Sequence, residues 1–97
     1  MGLSYESFDE RFFDVVDVKQ DLATVCSGFT FIEGPIWNDV TGCLTFNDIP
    51  ESRTYRLEQG KTVRLLREDT HKANGNAYDM DSNIIVCEHV RSCISRT

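Results

Sequence analysis

Several features that would direct a chain toward nucleic acids or membranes are scarce or missing here. Ten lysines and arginines stand against sixteen aspartates and glutamates, for a net charge of −6. Phosphate binding needs clustered basic side chains, and anionic lipids attract positive charge, so neither partner is favoured. No apolar run approaches the roughly 20 residues that span a bilayer. The composition therefore argues against a nucleic-acid-binding surface and against a membrane-inserted protein.

Cysteines are few, and no CxxC pair occurs among them: they are Cys26, Cys43, Cys87 and Cys93. Residues 1–25 also lack the cationic start and apolar core of a secretory signal. Three of the four cysteines lie in apolar runs, so we expect reduced, mostly buried thiols in a cytoplasmic protein. Cys87, His89 and Cys93 could supply three metal ligands, but without a second ligand pair a structural zinc site is disfavoured.

The 97 residues suffice for one small domain with a modest core. Its most informative stretch is Glu33-Gly34-Pro35-Ile36-Trp37, where a carboxylate precedes a Gly-Pro corner and an apolar, aromatic pair. Pro35 has a fixed φ and favours an extended Gly34, and Gly34, without a side chain, lets the backbone pass close to a neighbour. Ile36 and Trp37 predict the start of a buried strand. Glu33 then sits at a stiff strand start, suited to holding a carboxylate toward a ligand or ion, although a solvated turn glutamate fits the same pattern.

The chain from this corner onward predicts short strands separated by turn residues. Polar turn sequences punctuate runs of β-branched and aromatic residues every eight to twelve positions, as in all-β proteins. The predicted strands are 35–37, 43–47, 53–57, 62–66, 76–79, 84–88 and 93–96. Before the corner, Phe12 to Val18 and Thr24 to Cys26 predict two more strands, an N-terminal strand pair.

An internal repeat organises these strands. Trp37 and Tyr78 are 41 positions apart, as are Leu44 and Ile85, and Asn47-Asp48 then aligns with Glu88-His89. A four-stranded antiparallel unit recurring at about 40–45 residues is the spacing of β-propeller blades. A β-sandwich with similar turns is the alternative, and the aligned repeat favours the propeller. The predicted divisions are an N-terminal segment (1–31), blade one (32–72) and a partial blade two (73–97).

Four motifs in this order resemble a known family. They are Glu33-Gly34-Pro35-Ile36-Trp37, the Leu44–Pro50 segment, Asn74-Gly75-Asn76-Ala77-Tyr78-Asp79 and Val86-Cys87-Glu88-His89. Together they are similar to the regucalcin (senescence marker protein), gluconolactonase and luciferin-regenerating enzyme family, in its gluconolactonase-like branch. The resemblance runs from about Phe12 to the end of the chain.

The resemblance implies a six-bladed β-propeller with a divalent cation in its central channel, usually Ca²⁺ and sometimes Zn²⁺ or Mg²⁺. It implies hydrolysis of a small-molecule lactone, such as a sugar lactone, or of related esters. The family's metal-binding glutamate maps to Glu33. An asparagine that lines the lactone or metal site maps to Asn74, and a basic substrate contact maps to Lys72. We also expect His89 at the substrate site, since Glu88-His89 ends a predicted strand and could face the channel.

The resemblance also implies ligands that the 97 residues do not carry. In the family, an Asn and an Asp from later blades complete the metal site, and the Asp is the expected base or nucleophile. We therefore expect an N-terminal fragment that is incomplete as an enzyme by itself and that self-associates through open blade edges. A non-catalytic propeller-like binding or interaction module is the alternative.

The remaining polar and aromatic residues have simpler interpretations. Asp48, before Ile49-Pro50, is expected to be a turn residue that bonds its own backbone. The aromatic residues are expected in the core rather than in a ligand platform; these are Phe29, Phe31, Trp37 and Tyr78.

Overall fold

The computed structural model describes residues 3–60 and 62–97. In this part of the chain, seven strands form two antiparallel sheets, preceded by one short helix. The elements are α1 (Phe12–Val15), β1 (Ile32–Asn38), β2 (Cys43–Asp48), β3 (Arg53–Leu57), β4 (Val63–Arg67), β5 (Ala73–Tyr78), β6 (Ile84–Glu88) and β7 (Cys93–Arg96). Each of the seven strands predicted from Pro35 onward is confirmed, with small shifts at the ends. The α1 helix has four residues, so no helix in the described ranges could cross a membrane.

The first sheet is a meander in the order β1-β2-β3-β4, and the second is a meander in the order β5-β6-β7. A bulge interrupts the β1–β2 pairing between Glu33 and Ile36, where the Gly-Pro corner lies. Pro35 has no N–H to donate, so a ladder with regular hydrogen bonds cannot continue through it. The β5–β6 pairing has a bulge at the corresponding place, between Ala73 and Asn76.

The N-terminal segment does not form the predicted strand pair. Phe12–Val15 is helical, and no described residue before Ile32 belongs to a strand. Asp9 starts the helical turn, since its carboxylate accepts a hydrogen bond from the Arg11 backbone N–H at 2.9 Å and its carbonyl accepts one from Phe12 at 3.0 Å. A β-rich composition forms a strand only with a partner strand, and Val15 remains 82% exposed.

The end of this segment covers one face of the first sheet. The Phe29 ring packs edge-on against Phe46 and Tyr55, with centroids 5.1 and 5.0 Å away. Asp48 holds the segment in place, because its carboxylate accepts hydrogen bonds from the backbone N–H groups of Thr30 and Phe31 at 2.9 and 3.0 Å. The prediction that Asp48 bonds its own turn is therefore wrong: this buried side chain closes a contact 17 to 18 residues away along the chain.

The opposite face of the first sheet packs against the second sheet. Asn47 Nδ2 donates to the Asn74 carbonyl at 2.7 Å, and Asn76 Nδ2 donates to the Gly34 carbonyl at 2.8 Å. We call the space between these faces the seam. Side chains alternate between the two faces of a strand, so the facing residues follow from the register. They are Thr45, Asn47, Thr54 and Arg56 in the first sheet, and Asn76, Val86, Glu88 and Ser95 in the second.

Cross-strand registers correct the predicted repeat by one residue. Trp37 pairs with Leu44, and Tyr78 pairs with Ile84, so Leu44 corresponds to Ile84 rather than Ile85. The offset is 41 residues in the first strand of each sheet and 40 in the next two. The turns after β2 and β6 agree, since Ser52 and Ser92 each have a positive φ, of 51° and 50°. With the 40-residue offset, the buried Asp48 corresponds to another buried acid, Glu88, and not to His89.

Two expectations about the core are wrong. Trp37 and Phe31 are each 60% exposed, whereas Phe29 packs against the core of the first sheet. Of the four free cysteines only Cys43 is buried, while Cys87 and Cys93 are exposed. Cys87 lies on the outer face of the second sheet beside Ile94, which is 72% exposed, because no described element covers that face.

Candidate functional site

One end of the two sheets collects every residue that the sequence predicts for the site. Glu33 lies at the start of β1, and Asn74 lies at the start of β5. Lys72 immediately precedes β5, and His89 immediately follows β6. In an antiparallel meander the first strand starts where the second ends, so these residues share an edge, which we call the upper end. Glu33 and Asn74 occupy the same position in the two repeats.

Gly34 brings the two first strands together at the upper end. Its φ is +64°, and a Cβ placed on it would lie only 2.0 Å from the Asn74 carbonyl oxygen. Any larger residue would push β5 away, and the left-handed conformation itself favours glycine. The sequence signal for this contact was present in the Glu-Gly-Pro corner, where glycine was expected to permit a close backbone approach.

Glu33 is an exposed carboxylate without a cationic partner among the described residues. Its only hydrogen bond there is a long one, accepted by Oε2 from the Gly34 N–H at 3.3 Å. The ion pairs of the described chain involve other acids, namely Asp9, Glu58 and Glu88. The Glu33 carboxylate is therefore available to a ligand or an ion.

Asn74 and His89 line one shallow depression on the second sheet. Its remaining lining residues come from β6, β7 and the turn between them: Cys87, Glu88, Ser92, Cys93 and Ile94. The Asn74 backbone carbonyl accepts a hydrogen bond from Asn47, whereas the exposed Asn74 side chain makes no hydrogen bond with the described residues. An amide and an imidazole side by side can donate to and accept from the hydroxyl and carbonyl groups of a small polar molecule.

Lys72 lies at the upper end but is turned toward the β2–β3 connection. Its Nζ donates to the Pro50 carbonyl at 3.0 Å, and its backbone N–H donates to Ser52 Oγ at 3.1 Å. His71 and Lys72 both have left-handed backbones, with φ of 57° and 55°. Two consecutive residues of this kind are costly, and these contacts hold them in place. The structure therefore brings Asn74 and His89 together and leaves Lys72 and Glu33 outside their depression.

The depression also contains the ion-paired carboxylate of Glu88, to which the sequence assigned no role. Its buried carboxylate accepts two hydrogen bonds from Arg91, at Nε 2.8 Å and Nη2 2.7 Å. These bonds, helped by Ser95 and by the nearby His71, lower the pKa of Glu88 to about 2. Glu88 is thus ionised and paired at neutral pH, so it is unsuited to act as a general base. The sequence held no signal for its burial, because the predicted repeat aligned Asp48 with His89 and only the cross-strand registers align it with Glu88.

The described residues do not complete a metal site. No group of three or more His, Cys, Asp or Glu side chains within residues 3–60 and 62–97 is arranged to hold an ion. Glu33 offers one carboxylate, whereas Ca²⁺ takes about 6–8 oxygen ligands. A cation bound at Glu33 would therefore need most of its ligands from outside these residues.

Several solved structures resemble this chain, including two gluconolactonase-like proteins. A gluconolactonase from Xanthomonas campestris, described as important in glucose secondary metabolic pathways, is 32% identical, with a TM-score of 0.73 over 76% of this chain and 25% of that protein. A structural-genomics target provisionally named a gluconolactonase is 21% identical, with a TM-score of 0.78 over 93% of this chain and 31% of that protein. Neither a family model nor a curated protein matches.

These neighbours are propeller-type proteins, so the two sheets are propeller blades and the predicted all-β propeller fold is confirmed. The chain spans about a quarter to a third of the length of either neighbour.

Proposed function

This chain belongs to the gluconolactonase-like proteins, and from that premise we propose that it supplies part of the site of a lactone hydrolase acting on sugar lactones or related esters. One observation carries the proposal: Glu33 and Asn74, two of the three residues that the family resemblance assigns to the site, lie at the starts of the first strands of successive blades, which Gly34 brings into close contact. First strands of neighbouring blades lie next to each other, but Glu33 lines a depression beside Val25, Cys26 and Phe46, whereas Asn74 lines the one beside His89. A common ligand would therefore have to reach both depressions.

Each residue of the upper end has a distinct proposed role. Glu33 provides one negatively charged oxygen ligand for a divalent cation, with Ca²⁺ favoured and Zn²⁺ or Mg²⁺ as alternatives. When bound, such a cation polarises the carbonyl of an ester or lactone. Asn74 and His89 bind hydroxyl groups of the substrate from the depression that they share. Lys72 acts only if it leaves the Pro50 carbonyl, so its contribution to binding is the weakest of the four.

The remaining metal ligands and the catalytic base lie outside the described residues in this proposal. His89 is a poor candidate for the base, because its ring accepts or donates no hydrogen bond to an orienting carboxylate in the part of the chain described here. Glu88 is excluded by its pairing with Arg91. Further blades, in the same polypeptide or in another, would have to provide these groups.

The test is metal-dependent hydrolysis of glucono-δ-lactone by the natural protein, followed by acid release with and without a chelator. We expect Glu33→Gln to abolish the metal-dependent rate, since an amide lacks the charge that holds a divalent cation. Asp39→Asn is the matched control, because Asp39 is an exposed carboxylate in the β1–β2 turn, at the other end of the strands. A full metal-dependent rate in Glu33→Gln would contradict the proposal.

A non-catalytic binding module is the second candidate, favoured by the absence of a complete metal-binding cluster in the described ranges. The same depression would then bind a sugar-like ligand without hydrolysis. Calorimetric titration with gluconate separates the candidates: binding lost in Asn74→Ala, with no lactone turnover by the unaltered protein, supports the module.

A further inference from the structure

The seam contains buried polar atoms that neither sheet satisfies. Four side-chain atoms of the described residues are buried without a hydrogen-bond partner: Thr45 Oγ1, Arg56 Nε, Asn76 Oδ1 and Ser95 Oγ. Two belong to the first sheet and two to the second, and the register places all four on the facing surfaces. The Ser95 hydroxyl also lies near the Glu88 carboxylate, so the inference rests on the other three.

Other polar side chains of the first sheet that face the seam do have hydrogen-bond partners. Thr54 Oγ1 donates to Asn47 Oδ1 at 2.7 Å, and Asn47 Nδ2 continues to the Asn74 carbonyl. Thr45 and Arg56 are the next cross-strand pair on the same face, so their side chains lie side by side. This pair has no equivalent bond, although Thr45 is completely buried. A buried donor without a partner is costly, and native proteins rarely leave one.

The three atoms differ in hydrogen-bonding character, and this selects the missing partner. Arg56 Nε–H can only donate, Asn76 Oδ1 can only accept, and the Thr45 hydroxyl can do either. The orientation of the Asn76 amide follows from its Nδ2 bond to the Gly34 carbonyl, because the flipped amide would place oxygen against oxygen. A small anion could accept from Arg56 but could not donate to Asn76. Water does both, and it binds in buried sites that offer two to four polar partners.

We infer that the seam between the two blades binds ordered water, held by Arg56 Nε and Thr45 Oγ1 of the first blade and by Asn76 Oδ1 of the second. The water completes a row of polar contacts that begins with Asn47 and Asn74. The two blades are therefore joined through solvent as well as directly. This inference does not depend on lactone hydrolysis, and it holds whether or not the upper end is catalytic.

The experiment counts long-lived water in the 97-residue chain by ¹⁷O magnetic relaxation dispersion. Thr45→Val keeps the side-chain shape and removes the hydroxyl, and we expect the count to fall by at least one. Thr54→Val is the matched control, because its hydroxyl already bonds to Asn47 and its removal should leave the count unchanged. An unchanged count in Thr45→Val overturns the inference.

A crystal structure of the unaltered chain tests the same site even if Thr45→Val fails to fold. Water within hydrogen-bond distance of both Thr45 Oγ1 and Arg56 Nε is the expected result. A dry seam, or a chloride ion that can be replaced by bromide and seen by its anomalous signal, would overturn the inference.

Discussion

Replacing Gly34 with alanine tests the contact that joins the two blades at the upper end. The added Cβ would lie 2.0 Å from the Asn74 carbonyl oxygen, a backbone atom that cannot rotate away, so β1 and β5 must separate. Separation weakens two hydrogen bonds, from Asn47 to Asn74 and from Asn76 to Gly34. Each contributes about 1 kcal/mol net, and the left-handed backbone costs alanine about 1 kcal/mol more. We expect a loss of about 3 kcal/mol in the free energy of unfolding.

Gly60→Ala is the control that measures the cost of a left-handed alanine without a steric clash. Gly60 also has a positive φ, of +82°, but a Cβ there meets nothing within 4 Å. The control should therefore lose only about 1 kcal/mol. The difference between the variants is about 2 kcal/mol, which in a domain of this size lowers the melting temperature by roughly 8–16 °C more in Gly34→Ala.

Urea denaturation followed by tryptophan fluorescence and by circular dichroism provides the two free energies. Coincident transitions by the two probes are required, because only a two-state transition defines a single free energy of unfolding. Equal losses in Gly34→Ala and Gly60→Ala would refute the reasoning, since they would show that the approach of Gly34 to Asn74 contributes nothing to stability.

Three further predictions follow from the buried acids and the uncovered face. Asp48→Asn should lower the free energy of unfolding measured in urea by about 1–3 kcal/mol and expose the segment before Ile32 to proteases, because the amide NH2 that replaces one carboxylate oxygen is a donor and cannot accept the N–H that this oxygen binds; unchanged protease resistance would contradict this role. The lowered pKa of Glu88 means that its ionised form stabilises the fold above about pH 4.5, and this stability should disappear as the pH falls toward 2. Glu88→Gln should therefore reduce the fall of the melting temperature between pH 4.5 and pH 2, and an equal fall in both proteins would argue against the ion pair. We propose that copies of the chain associate through open edges and the uncovered outer face of the second sheet, so Ile94→Asp should lower the mass measured by light scattering; a monomer before and after the change would exclude this association.

The corner at Glu33 shows which structural features the local sequence can predict. The Gly-Pro corner predicted a strand start and a close backbone approach, and both are present; the prediction of an extended Gly34 is wrong, because its φ is +64°. Strand positions after this corner were predicted correctly because turn residues and two-residue alternation are local properties of the chain. The same local rules failed for Phe12–Val15, where a β-rich composition had no partner strand and the Asp9 turn produced a helix instead.

The sequence by itself determined the all-β architecture, the blade-like repeat and the upper-end position of the acidic and amide residues, because each depends on short-range spacing. Tertiary structure alone decided which side chains are buried and paired. The exact repeat offset depends on cross-strand register, and a shift of one residue moves a side chain to the other face. That register placed Glu88, rather than His89, at the buried repeat position that corresponds to Asp48, and it gathered the unpaired polar atoms of both blades into one seam.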